Sequence, residues 1–189
     1  MMDLLDQSKQ DSPMEWHIIR SMDELSRELR FDELKIQDIC EVAAISKPTF
    51  YRYFKNKQDA LRWHMKGIGS VGANQIGRSC GWYDGILVTL LAMLELKNLY
   101  SSFEYIDSNN PFGGHTFTGE LFFQSMVQTL TGLKRLPLTD LLEFQIRAVA
   151  DIFSGAFERY RASGMKDPAH YAFLCETLIP KPLYDIMDE

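Results

Sequence analysis

Between Lys47 and Tyr53 the chain reads Lys-Pro-Thr-Phe-Tyr-Arg-Tyr. Cationic, hydroxyl and phenolic groups are bunched within about two helical turns. Phe50 and Phe54 stand four apart, the spacing of one buried helix face. With those rings inward, Lys47, Thr49, Tyr51, Arg52 and Tyr53 turn polar tips outward, the groups that bond phosphate oxygens and base edges. Taken alone, such a helix reads more readily as a solvated face with its tyrosines half packed. Its surroundings favour the first reading. From Lys35 to Lys66 there are seven basic residues against three acidic ones, a balance of +4, whereas residues 1–34 and 67–189 each carry −5. A compact basic island therefore sits in a chain of net charge −6. Loose adhesion to DNA is disfavoured, and the island is left to meet phosphates.

The elements needed to hold that helix are legible around it. Ser12-Pro13-Met14-Glu15 is a helix start, with serine to cap, proline at the first helical position and glutamate to close a capping box. Ile18, Met22, Leu25 and Leu29 then recur on one face, and the helix should stop near Arg30. Ile36, Ile39, Cys40 and Ala43 form a second short stripe. A turn, Ala44-Ile45-Ser46, leads to the helix of Lys47, with Ser46 as its cap and Pro48 in its first turn. Two short helices joined in this way make a helix-turn-helix, whose second member lies in the major groove. Asn56 caps a further helix carrying Leu61, Met65 and Ile68.

Residues 31–61, FDELKIQDICEVAAISKPTFYRYFKNKQDAL, closely resemble the DNA-binding signature of TetR/AcrR-family transcriptional regulators. The match runs through Phe31, Ile36 and Ile39, Ser46-Lys47, Thr49-Phe50-Tyr51, Phe54, Lys57 and Leu61. Two positions depart from it: Lys35 stands where the family usually has threonine, and Ala44 where it usually has glycine. Alanine at a turn position that wants positive φ costs about 1 kcal/mol. The resemblance implies DNA contacts from Lys35, Gln37, Lys47, Pro48, Thr49 and Arg52, with Tyr51, Tyr53 and Lys57 as phosphate clamps. It implies an all-α fold: a three-helix DNA-binding domain over residues 1–66, then a helical effector-binding and dimerisation domain over 67–189. The arm, residues 1–12, holds Lys9 but also Asp3, Asp6 and Asp11, so no basic arm in the minor groove is expected.

Residues 67–189 read as helical throughout. A segment of about 84–107 is apolar nearly all round, which places it at a domain centre. Ser108 to Gly114 is a loop. Helices are expected from about Thr118 to Gly132, from Asp140 to about Ser163, and from Asp167-Pro168 onward. The last two carry Phe153, Ala156, Phe157 and Tyr160, and Tyr171, Leu174 and Leu178. These residues suit either a monomeric core or a bundle across a twofold axis. The family resemblance implies the bundle, and so a homodimer on a palindromic double-stranded operator. Trp82, Tyr100, Phe103, His115, Phe122 and Met126 gather about the central segment. They read as plain core or as a pocket, and the resemblance implies a pocket for a small apolar or aromatic effector.

Other chemistries lack their residues. Gly67 to Gly72 spells G-x-G-x-x-G, but a helical run precedes it where a dinucleotide site needs a strand. Its glycines instead loosen the helix leaving the head, the pattern of a hinge. The four histidines show no H-E-x-x-H spacing, and there is no G-x-S-x-G or phosphate-binding loop. Three cysteines without a C-x-x-C pair argue against disulfides and a cysteine zinc site. No apolar run approaches the roughly 20 residues of a membrane span. The expectation is a cytoplasmic transcriptional regulator that is not an enzyme and needs no cofactor or metal. Repression is the expected mode, although the chain also resembles regulators of dihydroxyacetone utilisation, some of which activate, so the direction of control stays open. An interaction protein on the same scaffold, with weakened DNA binding, is the alternative.

Overall fold

The computed structural model describes residues 11–102 and 114–188, with side chains from 118 onward in the second stretch. Phe103 and residues 108–113 lie outside the described residues, as do the side chain of His115 and most of the arm. Among the described residues there are ten α-helices and no β-strand, only an isolated bridge between Ile76 and Cys80.

The first four helices form the head: α1 (Pro13–Leu25), α2 (Ile36–Val42), α3 (Lys47–Tyr53) and α4 (Lys57–Val71). Pro13 opens α1 as expected, but Ser12 makes no side-chain cap, and the regular helix ends at Leu25, before Arg30. Ile18, Ile19 and Met22 are fully buried. The cap at α3 forms, Ser46 accepting from the Thr49 amide at 3.2 Å, and so does that at α4, Asn56 accepting from Asp59 at 2.8 Å. Phe50 and Phe54 fill the head core, Phe54 meeting Trp63 of α4 at 5.9 Å between centroids.

No linker separates head from body at residue 66. Helix α4 continues to Val71 and stops at Gly72, whose backbone lies against α5 (Trp82–Leu94). A Cβ on Gly72 would stand 2.2 Å from Thr89 Oγ1 and 2.9 Å from the Gly85 carbonyl. The Ala73 amide donates to the same Thr89 hydroxyl at 2.9 Å. This glycine is a close-packing point and not a hinge.

Helix α5 is the central helix of the body, with Trp82, Ile86, Leu90 and Met93 buried. The helix expected over 84–107 is two: α5 ends at Leu94 and α6 spans Lys97–Ser101. A tertiary contact rewards the break. Asp23, on α1 of the head, accepts from the Leu99 amide at 2.8 Å and from Asn98 Nδ2 at 2.9 Å. A carboxylate at those first-turn amides suits the positive end of the helix. On the other side of the head, His64 Nδ1 of α4 and the Tyr100 hydroxyl are 2.9 Å apart and buried. Helix α6 is thereby held by both α1 and α4.

Helix α7 (Gly114–Gln128) runs into a π turn, Thr129–Leu133, and pairs with α8 (Asp140–Ala162). Helix α9 (Pro168–Glu176) is capped by Asp167, which accepts from the His170 amide at 3.0 Å, and packs along α5. A last helix, α10 (Lys181–Asp188), inserts Leu183 and Met187 into the core. Its Leu-x-x-Ile-Met spacing is helical, but its shortness and Pro182 hide it from a sequence reading.

Candidate nucleic-acid interface

The turn between α2 and α3 sets the angle of the exposed helix. Helix α2 is capped at Ala43, the Ala44 amide donates to the Glu41 carbonyl at 3.2 Å, and the Ile45 amide to the Cys40 carbonyl at 2.9 Å. These paired bonds are a Schellman motif, whose first residue beyond the cap takes the left-handed conformation. Ala44 does so, at φ +50°. His17 of α1 fixes the same corner, its Nε2 donating to the Ala43 carbonyl at 2.8 Å.

On α3, Lys47, Pro48, Tyr51 and Arg52 are exposed, and Thr49 and Tyr53 are half-buried. The Arg52 guanidinium lies over the Tyr53 ring, 5.1 Å from its centroid, so the two present one cationic, aromatic surface. Thr49 shares its hydroxyl with Ser46 at 2.8 Å. The two helices meet through side chains as well: Lys47 Nζ donates to Gln37 Oε1 at 3.3 Å, and Gln37 Nε2 donates to Glu41 Oε1 at 3.1 Å. Lys35, at the N-cap of α2, is exposed without forming a cap. The structure thus brings Lys35, Gln37, Lys47, Pro48, Thr49, Tyr51, Arg52 and Tyr53 onto the outer side of the helix-turn-helix.

Glu41 is a residue that sequence reasoning missed. It stands four after Gln37, so the helical period alone places it on the same face. A carboxylate here lowers the local positive potential and offers an acceptor to a cytosine amino group.

Lys57 is a correction to the expected set. Its ammonium donates to the carbonyls of Phe31, Asp32 and Leu34, each at 2.7 Å, and sits 5.2 Å from the Phe31 ring centroid. Burial pushes its pKa below the usual lysine value, against the pull of Asp32. All three ammonium protons are committed to the α1–α2 connection, so Lys57 braces the head and has no proton left to clamp a phosphate.

Residues 21–62 match the model for "Bacterial regulatory proteins, tetR family". Over those residues the head is similar to the tetR family. A curated relative, the "HTH-type dhaKLM operon transcriptional activator DhaS" of Lactococcus lactis, is 26% identical over 92 residues. The matched stretch covers 49% of this chain and 49% of that protein, about half the length of each. A solved structure, "Dihydroxyacetone kinase operon activator DhaS", superposes with a TM-score of 0.65 at 18% identity, covering 93% of this chain and 98% of that one. That likeness is one of fold, and it runs over head and body together.

In the body, four of the residues expected at an effector pocket are core. Trp82, Tyr100, Phe122 and Met126 are buried, Trp82 and Phe122 meeting Phe153 at 6.2 and 5.5 Å. The Tyr100 hydroxyl is taken by His64, and burial pushes its pKa up. Of the residues expected at the subunit interface, Phe153 and Tyr160 also face inward, and Tyr160 donates to the Met165 carbonyl at 3.1 Å. Ala156, Phe157 and Tyr171 are half-buried, while Leu174 and Leu178 are exposed. The uncovered apolar side of α8 is instead Leu141, Phe144 and Ile152, with Phe144 72% exposed. It lies one helical step from the expected set, because Phe153 and Tyr160 share the inward face with Ile146 and Val149.

Cys80 is half-buried, and burial and Asp84 both raise its pKa, the reverse of an activated thiol. Among the described residues no group of acidic, histidine or cysteine side chains could hold a metal ion, and no helix is long and apolar enough to cross a membrane.

Proposed function

We propose that this protein is a cytoplasmic transcriptional regulator that inserts α3 into the major groove of double-stranded DNA, as a homodimer on a palindromic operator. The observation that carries this is α3 itself. A seven-residue helix, anchored by Phe50 and aimed by the Ala44 turn, turns Lys47, Pro48, Tyr51 and Arg52 outward within a head similar to the tetR family.

The uncovered apolar side of α8 and α9 supports a twofold assembly. Leu141, Phe144 and Ile152 on α8, and Phe173, Leu174 and Leu178 on and just after α9, are all exposed. A patch of that kind on a soluble protein marks an interaction surface. Pairing it with its own copy gives the isologous contact that a palindrome requires. Both relatives are described as activators, and we take activation as the direction of control here in place of repression.

Selection of bound fragments from random duplex DNA tests the proposal. Enrichment of inverted half-sites, one helical turn or more apart, is the expected result. A monomeric protein that enriches nothing at low salt would refute it.

A further inference from the structure

A groove of about 500 Å3 opens where the end of α4, the α4–α5 connection and α7 meet. Ser70, Asn74, Gln75, Arg78, Gln124 and Gln128 are among its walls. This volume falls in the range of metabolite sites, roughly 300–1,000 Å3. Its lining is unlike the aromatic cluster around Trp82: amides, hydroxyls, one guanidinium and a single apolar side chain, Leu121.

Arg78 is the distinctive group. Its Nε donates to Thr129 Oγ1 at 2.7 Å, and its Nη2 to the Ser125 carbonyl at 3.2 Å and Gln128 Oε1 at 3.1 Å. All three acceptors are neutral, and among the described residues no carboxylate lies within 4 Å of it. Its Nη1 makes no hydrogen bond among those residues, and neither does the side-chain amide of Asn74. The guanidinium is thus held by neutral acceptors on exposed surface, with no carboxylate partner among the described residues and a second unclaimed donor on Asn74. Glu120, the nearest acid in this part of α7, is engaged by Gln124 at 2.9 Å and faces Arg147 at 4.0 Å.

We infer that this groove binds a small hydroxylated oxyanion, a carboxylate or phosphate ester of metabolite size. Arg78 Nη1 and Asn74 meet the anionic end, since a guanidinium suits planar and tetrahedral oxyanions alike. The amides of Gln124 and Gln128 meet the hydroxyls. The site lies outside the DNA-reading surface, and only its regulatory consequence rests on the function proposed above. Ser70 belongs to α4, the helix that enters the head, and Gln124 belongs to α7 of the body. A ligand touching both favours one setting of the head over another.

Calorimetric titration of the full chain without DNA tests the inference, at constant ionic strength. The probes are glycerol 3-phosphate, glycerate, inorganic phosphate and glycerol. Saturable binding of glycerol 3-phosphate or glycerate, tighter than inorganic phosphate and absent for glycerol, is expected. Which of the two binds distinguishes the phosphate from the carboxylate class. Gln128→Glu keeps an acceptor for Arg78 but pairs its charge, so the fold should persist while the bound anion weakens roughly tenfold or more. Asn74→Ala should weaken it as well. No saturable heat with either hydroxylated anion would overturn the inference, as would unchanged affinity in Gln128→Glu. A parallel titration of DNA-bound protein reads the regulatory step. Loss of DNA binding alone would leave the calorimetric result standing, so the two readings fail separately.

Discussion

At Ala44 a side chain occupies backbone space that favours glycine. The left-handed conformation costs an alanine about 1–2 kcal/mol, and glycine returns part of that as chain entropy in the unfolded state. Ala44→Gly should therefore stabilise the head by about 0.5–1 kcal/mol, raising the thermal midpoint by roughly 2–3 °C in a calorimetric scan. No change would mean that the turn relaxes around the alanine. Lys57 carries the opposite expectation. Lys57→Met leaves the carbonyls of Phe31, Asp32 and Leu34 without their donor and should destabilise by about 2 kcal/mol or more. Because Lys57 does not reach phosphate, the salt dependence of DNA binding by the folded variant should stay as it is. A shallower salt slope would return Lys57 to the interface. The strain at Ala44 was legible through the family resemblance, which puts glycine at that turn position. The role of Lys57 was not, since its three acceptors lie 23–26 residues away and only the folded chain brings them together.

Among the elements, the glycine-rich end of α4 separates flexibility from packing. Gly72→Ala drives a Cβ into Thr89 and the Gly85 carbonyl, and overpacking against backbone costs about 1–3 kcal/mol or more. Gly69→Ala meets only the Asn74 side chain at 3.3 Å, and Gly67→Ala meets nothing within 4 Å. Within a helix, Gly67→Ala should stabilise by about 0.5–1 kcal/mol. Denaturant midpoints for the three variants should rank Gly67→Ala above Gly69→Ala, and Gly72→Ala last. Equal midpoints for Gly67→Ala and Gly72→Ala would restore the hinge. Local signals were enough to place α2, α3 and α8, because caps and apolar spacing agree in most of them. They were not enough for α5 and α6. The chain from Ile86 to Leu99 is apolar enough to continue as one helix, and the break is rewarded by Asp23, a residue of the head. Periodicity likewise marked Phe153 and Tyr160 as apolar positions on α8, but could not tell an inward face from the outward one of Leu141, Phe144 and Ile152.

For the whole molecule, reading a palindrome requires two heads at fixed separation. Phe144→Asp places a charge on a side chain that is 72% exposed, so the subunit should fold with little loss while the dimer dissociates. Sedimentation should then give a monomer at concentrations where the parent chain is a dimer, and operator affinity should fall with it. A variant that remained dimeric would move the interface elsewhere. The charge pattern suits the proposed dimer, since two basic islands together would offer phosphates more positive charge than one island in an acidic chain.

The most direct test of the central claim is the salt dependence of binding to a selected duplex, followed by fluorescence anisotropy. Log affinity should fall linearly and steeply with log salt. Arg52→Ala should weaken binding and make the slope shallower, because each subunit then brings one cation fewer to the duplex. Affinity insensitive to salt, or a slope unchanged by removing Arg52 from both subunits, would contradict the placement of α3 against DNA.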